Sequence, residues 1–376
     1  MVRKAKVALL TNFLPIYRVP LLEHLSTHLS DLRIFLSVKM EKNRNWPVYW
    51  GGLDVQVSRS LTITRNRRSS HGYTDTNYLH IPYDTLLSLW RYRPEVVIAG
   101  EMGARTMMAR VYKVIRPGTK LIIWATLSEH TEAGTSFVRR LVRRWLLRGA
   151  NAIYVNGASG ARYVRSMGYR GFLTSVPYAA DNQMFANSSP RVRSETLRLL
   201  YTGQIVERKG LSPFLASLTQ WCHAHPRRSI SLSVVGSGDM LDQIKKVELP
   251  LNLQVEFKGN VQFGDLPRHY HDADMYVYPT LADEWGLVVN EALSAGLPVL
   301  GSRYSQAVEE LVQEGVTGWL FTPTDPVDTY AAIDRALSAV PSLDVMSYHA
   351  VSAVKELTQQ QVAARMGQTV REVCNA

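Results

Sequence analysis

The sequence predicts an α/β protein of two domains, each a parallel sheet wound with helices. Three observations carry this reading. Strand-like and helical patterns alternate through the first half, a second series of the same kind starts near residue 197, and 376 residues is long for one core but comfortable for two. Hydrophobic residues make up 46% and charged residues 20%, a globular balance that argues against wholesale disorder.

In the first half, short apolar, β-branched or aromatic runs mark strands at 6–12, 32–38, 95–100, 120–126 and 151–156. Helical periodicity falls between or after them at 19–29, 83–92, 102–115, 136–148 and 158–167. Strands separated by helices imply parallel pairing through right-handed crossovers. Residues 40–80 read as an irregular polar segment with arginines on a solvated face.

In a doubly wound sheet the ligand crevice lies outside the carboxyl ends of the strands, so the residues after each strand are the first candidates. Glu101 directly follows strand 95–100, and His130 follows strand 120–126 after a short step. Either is placed to accept a proton from a ligand hydroxyl, against a surface or structural role. The loop after strand one, Asn12 to Arg18, reads either as a ligand-contacting loop carrying Tyr17 and Arg18 or as a plain turn punctuated by Pro15. No G-x-G-x-x-G dinucleotide fingerprint follows that strand.

Segment 136–150, SFVRRLVRRWLLRGA, places Phe137, Val138, Leu141, Val142, Trp145, Leu146 and Leu147 on one broad face. Arg139, Arg140, Arg143, Arg144 and Arg148 fall on another. The apolar stripe is expected in the core, with the arginines either solvated or touching anionic lipid headgroups without insertion. Charge is uneven along the whole chain. Lysine and arginine number 27 against 10 acids over residues 1–175, and 16 against 22 thereafter, within a total of +11. The first half is therefore expected to meet something anionic.

The second half carries the sharper motifs. LRLLYTG (197–203) leads into QIVERKGL, and SLSVVGSGDM (231–240) runs into Gly236 and Gly238. VEFKGNV (255–261) precedes DLPRHYHDADMYVYPT (265–280). The block PTLADEWGLVVNEALSAGLPVLGS (279–302) sets Asp283 and Glu291 with seven residues between them around a turn that opens a helix near Gly286. A helix start presents free backbone N–H groups and favours phosphate. VPYAADNQMF (176–185) precedes these motifs, SRYSQAVEELVQEGVTGWLFTPTDP (302–326) follows them, and amphipathic helices at 327–340 and 360–374 close the chain.

Together these segments resemble the retaining GT-B glycosyltransferases of family 4, the glycosyl transferases group 1, of bacterial surface-polysaccharide type. The resemblance is strong over 197–325 and loose over 1–175. It implies two Rossmann-like parallel-sheet domains facing a deep cleft. Residues 1–185 would form an acceptor-binding domain, 186–196 a linker and 197–355 the nucleotide-sugar-binding domain, with helix 356–376 packing back on the first. By resemblance Lys209 holds the donor diphosphate, Glu291 the ribose, and Asp283 the sugar hydroxyls, with Glu284 beside it. Gly236, Gly238 and Val261 would bring backbone close to the nucleotide, and Trp285, Gly286, Leu287 and Val288 form the donor-site turn. The loop carrying Tyr17 and Arg18 resembles a P-x-Y-R acceptor loop. Several positions depart from the family pattern: Gln204 stands where an arginine is usual, with Arg208 nearby to replace it, Asp283 and Glu284 stand where glutamate and proline are usual, and Tyr304 and Ser305 stand where two glycines are common.

The expected activity is transfer of a hexose-type sugar, with retention, from a UDP- or GDP-sugar to a glycan or polyprenyl-diphosphate-linked acceptor in exopolysaccharide, lipopolysaccharide or surface-glycan assembly. No Asp-x-Asp is present, His269 and His271 at i, i+2 cannot share a helix face, and Cys222 and Cys374 match no metal spacing. No metal or other cofactor is therefore expected. The opening apolar run is too short for a signal peptide and no run reaches about 20 apolar residues, so a cytoplasmic protein, either soluble or peripheral at the inner face of the plasma membrane, is expected. Nucleic-acid binding would fit the basic half, but no aromatic-basic interleaving or helix-turn-helix pattern supports it. The alternative is a non-catalytic relative acting as a binding or partner subunit, which Gln204 and Asp283 motivate.

Overall fold

The computed structural model describes residues 4–41, 47–69, 71–187, 191–192 and 194–376. The chain divides into two compact units. The first holds the described residues up to 69, with 75–178 and 359–376; the second holds 71–74 and 179–358.

The first unit runs β1 (Lys6–Thr11), α1 (Val19–Thr27), β2 (Asp31–Leu36), β3 (Asp54–Val57), β4 (Ser60–Arg68), β5 (Thr74–Pro82), α2 (Thr85–Tyr92), β6 (Val96–Gly100), α3 (Ala104–Ile115), β7 (Lys120–Ala125), α4 (Phe137–Arg148), β8 (Ala152–Val155), α5 (Ala158–Ser166) and β9 (Phe172–Ser175). Its seven-stranded sheet has the order β3-β2-β1-β6-β7-β8-β9, with parallel pairing such as Val7 to Leu32 and Val7 to Val96. β1, β6 and β7 are apolar throughout their middles because helices cover both faces of a parallel sheet. Crossovers leave the β1/β6 junction in opposite directions, which right-handedness converts into helices on opposite faces. One core gathers Leu89 and Tyr92 of α2, Tyr112 of α3, Leu146 and Leu147 of α4 and Val164 of α5. On the other face the closing helix, Gln359–Asn375, packs on α1, and Tyr154 of β8 donates to its Met366 carbonyl at 2.8 Å.

Residues 40–80 correct the expectation of irregular chain. Outside the undescribed 42–46 and 70 they form β3, which extends the main sheet, and the β4/β5 ribbon. Cross-ribbon bonds Thr62–His80 (2.8 Å) and Thr76–Asn66 (3.0 Å) run in opposite order along the two strands, so the ribbon is antiparallel. The β-branched alternation of LTIT offers the local signal; the arginines beyond it obscure the period.

The second unit runs α6 (Asn182–Phe185), β10 (Leu197–Thr202), α7 (Leu211–Ala224), β11 (Ile230–Val235), α8 (Leu241–Ile244), β12 (Leu253–Gly259), α9 (Leu266–His271), β13 (Met275–Tyr278), α10 (Leu287–Ser294), β14 (Val299–Ser302), α11 (Gln306–Leu311), β15 (Gly318–Phe321), α12 (Pro326–Ser338) and α13 (Leu343–Val354). Its parallel sheet has the order β12-β11-β10-β13-β14-β15. Phe214 and Trp221 of α7, Phe321 of β15 and Ile333 of α12 fill one side of its core. Asp325 caps α12, accepting from the Val327 N–H at 2.9 Å. The change of unit falls between Tyr178 and Ala179, so the α6 segment, placed by sequence at the end of the first domain, groups with the second. The expected linker 186–196 includes residues 188–190 and 193, which lie outside the described residues.

Candidate functional site

The strand order of the second, parallel sheet reverses between β10 and β13, and the turns leaving those two strands carry most of the motif residues. After β10, a short turn of tighter helix, Glu207–Lys209, ends at Gly210 with φ 66°. A Cβ there would lie 2.1 Å from the Pro279 carbonyl, so only glycine lets this turn meet the segment after β13. That close approach brings Lys209 to Asp283. Lys209 Nζ is ion-paired with Asp283 Oδ2 and donates to the Tyr278 hydroxyl at 3.1 Å. Tyr278 donates to the same carboxylate oxygen at 2.5 Å. Arg208 stands 3.8 Å from it and donates to the Ala282 carbonyl at 2.9 Å.

Burial alone would raise the Asp283 carboxyl; the charges of Lys209 and Arg208 and the bonds from Lys209 and Tyr278 outweigh it and hold the group well below the usual carboxylate range. Asp283 Oδ1 also receives the Trp285 backbone N–H at 3.3 Å, an Asx turn that sets up the helix. Gly286, at φ 104°, is the N-cap of α10; a Cβ there would stand 2.7 Å from the Tyr278 ring. The half-buried Leu287 and Val288 open the helix, and their N–H groups precede the first helical bond, from the Val289 N–H to the Gly286 carbonyl at 2.9 Å.

Glu291 lies one turn further along α10 and is only 5% exposed. Tyr270 of α9 donates to its Oε2 at 2.6 Å, and the Tyr270 hydroxyl also bonds Thr202, which bonds Tyr276 at 2.9 Å. Burial pushes the Glu291 carboxyl up to about 7, against the lowering effect of the Tyr270 bond. Two carboxylates eight positions apart thus shift in opposite directions, because Lys209 and Arg208 outweigh burial at Asp283 while only the Tyr270 bond opposes it at Glu291.

The other donor-site candidates take differing places. Trp285 is buried, its indole N–H donating to Asn290 at 2.8 Å, so it builds the turn from inside. Glu284 is exposed, its carbonyl accepting from Gln306. Gln204 is half-buried after β10. Gly236 and Gly238 pack on the protein's own loop: Cβ atoms there would lie 1.9 Å from the Gly203 carbonyl and 2.1 Å from that of Ile205. Val261 is half-buried beyond β12, beside Asn260, whose side chain accepts from Ser237 at 2.9 Å. Tyr278 and Tyr270 were not anticipated as site residues. The alternation M-Y-V-Y in β13 puts Tyr276 and Tyr278 on one face of the strand, a period-two signal open to reading.

In the first unit, Glu101 follows β6 at φ 63°, a left-handed backbone uncommon for a side-chain-bearing residue. Its carboxylate accepts from Asn12 and from Arg105, each at 3.2 Å. Arg105, itself buried, also reaches Asn12 and, at 3.1 Å, Ser37. The strand order thus gathers residues following β1, β2 and β6 at the first unit's own reversal point. Arg105 was not anticipated; its i, i+4 spacing from Glu101 is the available signal. His130 sits half-buried in the turns after β7. Tyr17 and Arg18 occupy the turn before α1, with the Arg18 guanidinium over the rings of Tyr178 (4.6 Å) and Trp124 (5.0 Å) and bonded to the Tyr178 hydroxyl.

Helix α4 corrects the expectation made for it. Phe137, Val138, Leu141 and Trp145 are exposed, and Arg143, expected on the solvent or lipid side with Arg139, Arg140 and Arg144, is buried with Leu146 and Leu147. Seven apolar residues span too much of the helix circumference to pack together, and the face that meets the sheet is the one whose arginine finds a counter-ion. Arg143 pairs with Glu132 at 2.5 Å and bonds the Tyr163 hydroxyl. Burial would raise the Glu132 carboxyl, but Arg143 pulls it below its ordinary value.

Among the described residues no cluster of three or more His, Cys, Asp or Glu is arranged to hold a metal ion, and no helix is long and apolar enough to cross a membrane.

Comparison with known proteins adds to this geometry. Residues 196–339 match the family described as glycosyl transferases group 1. The chain is 26% identical over 278 residues to sulfoquinovosyl transferase SQD2 of Arabidopsis thaliana, covering 67% of this chain and 52% of that protein. It spans about half or less of the length of the first curated relatives it matches. Among solved structures, Anabaena Alr3699/HepE in complex with UDP superposes with a TM-score of 0.73 at 15% identity, over 98% of this chain and 100% of that one. The lipopolysaccharide outer core galactosyltransferase WaaB, apo form, gives 0.72 at 13% identity over 98% and 99%. The two parallel-sheet units are thus those of the GT-B fold.

Proposed function

We propose that the chain is a glycosyltransferase, its second unit binding a nucleotide-diphosphate sugar and its activity transferring a hexose-type sugar with retention of configuration. The observation that carries this reading is the Lys209, Arg208 and Asp283 cluster at the sheet's reversal point, directly ahead of the α10 N-terminus and inside the matched segment. Glycosyl transfer builds negative charge on the departing diphosphate, and fixed positive groups aimed there stabilise it without reorganising. Lys209 and Arg208 with the first N–H groups of α10 supply such a field, so the reading is metal-independent. Arg208 in this cluster compensates for Gln204 at the usual arginine position.

Asp283, held ionised, accepts sugar hydroxyls in this reading; Glu291, with Oε1 left over from the Tyr270 bond, accepts from the ribose. Glu101, oriented by Arg105 and Asn12, and His130 belong to the acceptor side, as do Tyr17 and Arg18. UDP in the Anabaena structure supports a uridine donor over GDP. The acceptor is a glycan or a polyprenyl-diphosphate-linked sugar in surface-polysaccharide assembly, the latter met at a cytoplasmic membrane face.

Thermal shift of the purified chain against UDP- and GDP-sugars, with and without EDTA, tests the reading. A donor at 100 times its dissociation constant stabilises the fold by about 2.7 kcal/mol. The expected result is a shift for one nucleotide class, unchanged by EDTA and lost in Lys209→Ala. No shift with any donor sinks the proposal.

A further inference from the structure

Helix α4 turns an apolar face outward and a paired arginine inward, and from this arrangement we propose that α4 docks the first unit onto an anionic lipid bilayer. Phe137, Val138, Leu141 and Trp145 are 72%, 69%, 47% and 42% exposed. At about 100° per residue these four fall within one sector of the helix, roughly 100° wide. Arg148 lies in the same sector and Arg144 and Arg140 border it. None of these three arginines has an ion-pair partner among the described residues, unlike Arg143 with Glu132.

The charge around this face is of one sign. Residues 133–180 contain eight arginines and no aspartate or glutamate. Beside α4, the start of the α5–β9 connection closes a pocket of about 400 Å³ lined by Arg144, Arg148 and Arg170 together with Leu147, Met167 and Tyr169. Three arginines lining one pocket with Leu147, Met167 and Tyr169 offer cationic donors for a lipid phosphate beside apolar side chains. Helix α3 continues the patch: Arg110 lies 4.0 Å over the Trp145 ring, and Val111 and Val114 on the same side of α3 are exposed.

A bilayer satisfies both halves of this surface. Its headgroups accept the arginines, and its hydrocarbon edge accepts the side chains that water does not. Nucleic acid offers the anions but no hydrocarbon for Phe137, Val138 and Leu141. The assignment deepens the membrane-side acceptor reading above, and its test does not depend on sugar transfer.

Co-sedimentation of the full chain with phosphatidylcholine vesicles, alone or containing phosphatidylglycerol, is the measurement. The chain is expected to pellet with the anionic vesicles only. Arg140→Ala combined with Arg144→Ala should weaken that binding roughly thirtyfold. Phe137→Asp combined with Leu141→Asp should abolish it while leaving the thermal unfolding midpoint unchanged, since both positions are exposed. Equal binding to neutral vesicles, or variants that bind as the parent does, overturns the proposal. So does light scattering that shows a dimer dissolved by Phe137→Asp with Leu141→Asp, which would make this face a contact between copies. A chain that binds vesicles but no nucleotide sugar would leave this proposal standing and remove the donor reading.

Discussion

Tyr270 donates its hydroxyl proton to Glu291 across 2.6 Å in a site where both side chains are buried. The bond favours the ionised carboxylate, while burial favours the protonated one and prevails. Tyr270→Phe therefore moves the Glu291 carboxyl further above 7. Losing one partner of a buried bond costs about 1–3 kcal/mol. The pH at which nucleotide binding reaches half its alkaline plateau should rise in this variant, read by calorimetric titration from acid to mildly alkaline pH; an unmoved midpoint would count against the role given to Glu291.

Glu291→Gln tests the sign of that acidity through stability. A carboxyl raised in the folded state, from 4.5 to about 7, binds its proton more tightly there than in the unfolded chain. Its favourable contribution is full below the unfolded value and is lost as pH rises through the folded one. The parent should thus lose on the order of 3 kcal/mol relative to Glu291→Gln between about pH 4.5 and 7, and no more above that. Chemical denaturation at acid and alkaline ends of this window measures the difference.

Asp283 has the opposite sign. Its folded-state acidity is strengthened, so its contribution is present above the unfolded value and lost as pH falls through the lower folded one. Lys209→Ala leaves the carboxylate with Arg208 at 3.8 Å and Tyr278. The variant should unfold about 1–3 kcal/mol more easily at neutral pH, the half-buried pair being partly screened. It should also show a weaker loss of stability in acid than the parent.

Arg143→Ala separates the buried arginine of α4 from its exposed neighbours. It strands Glu132, which keeps only Arg139 at 3.7 Å and its local bond to Thr135, and should cost about 3–5 kcal/mol in urea unfolding. Arg140→Ala, at an exposed position, should change stability by less than about 0.5 kcal/mol.

Gly210→Ala probes the turn that joins the two strand exits. With φ 66° and the Pro279 carbonyl in the way, the added Cβ must displace the Lys209 turn. The expected outcome is loss of nucleotide binding together with a lowered unfolding midpoint; binding at the parent's affinity would show that Lys209 does not depend on this turn.

The sheets were legible because their signal is local. β1, β6 and β7 are continuous apolar runs between helical periods, and both faces of a parallel strand are buried, so no partner need be known to find them. The ribbon β4/β5 and α13 were not found. β4 mixes its alternating stretch with arginines, and in α13 serine, valine and tyrosine blur the helical period until its packing on α10 selects the face. In the candidate site, Lys209, Asp283 and Glu291 were marked by resemblance to the family's motifs, whereas the roles of Tyr270, Tyr278 and Arg105 show only in the contacts they make: Tyr270 with Glu291, Tyr278 with Lys209 and Arg105 with Ser37.

The sequence by itself determined that the chain holds two α/β units, where most of their central strands and helices fall along it, and which segments leave those strands as candidate ligand turns. These follow from periodicity and turn chemistry along a few neighbouring residues. Only the tertiary structure decided that Lys209 meets Asp283, that Glu291 lies among tyrosines, and that α4 buries Arg143 while exposing Phe137. Burial and counter-ions are properties of what surrounds a side chain in space. A pattern along the chain lists the apolar and charged faces available, and the neighbouring strand or carboxylate selects which of them turns inward.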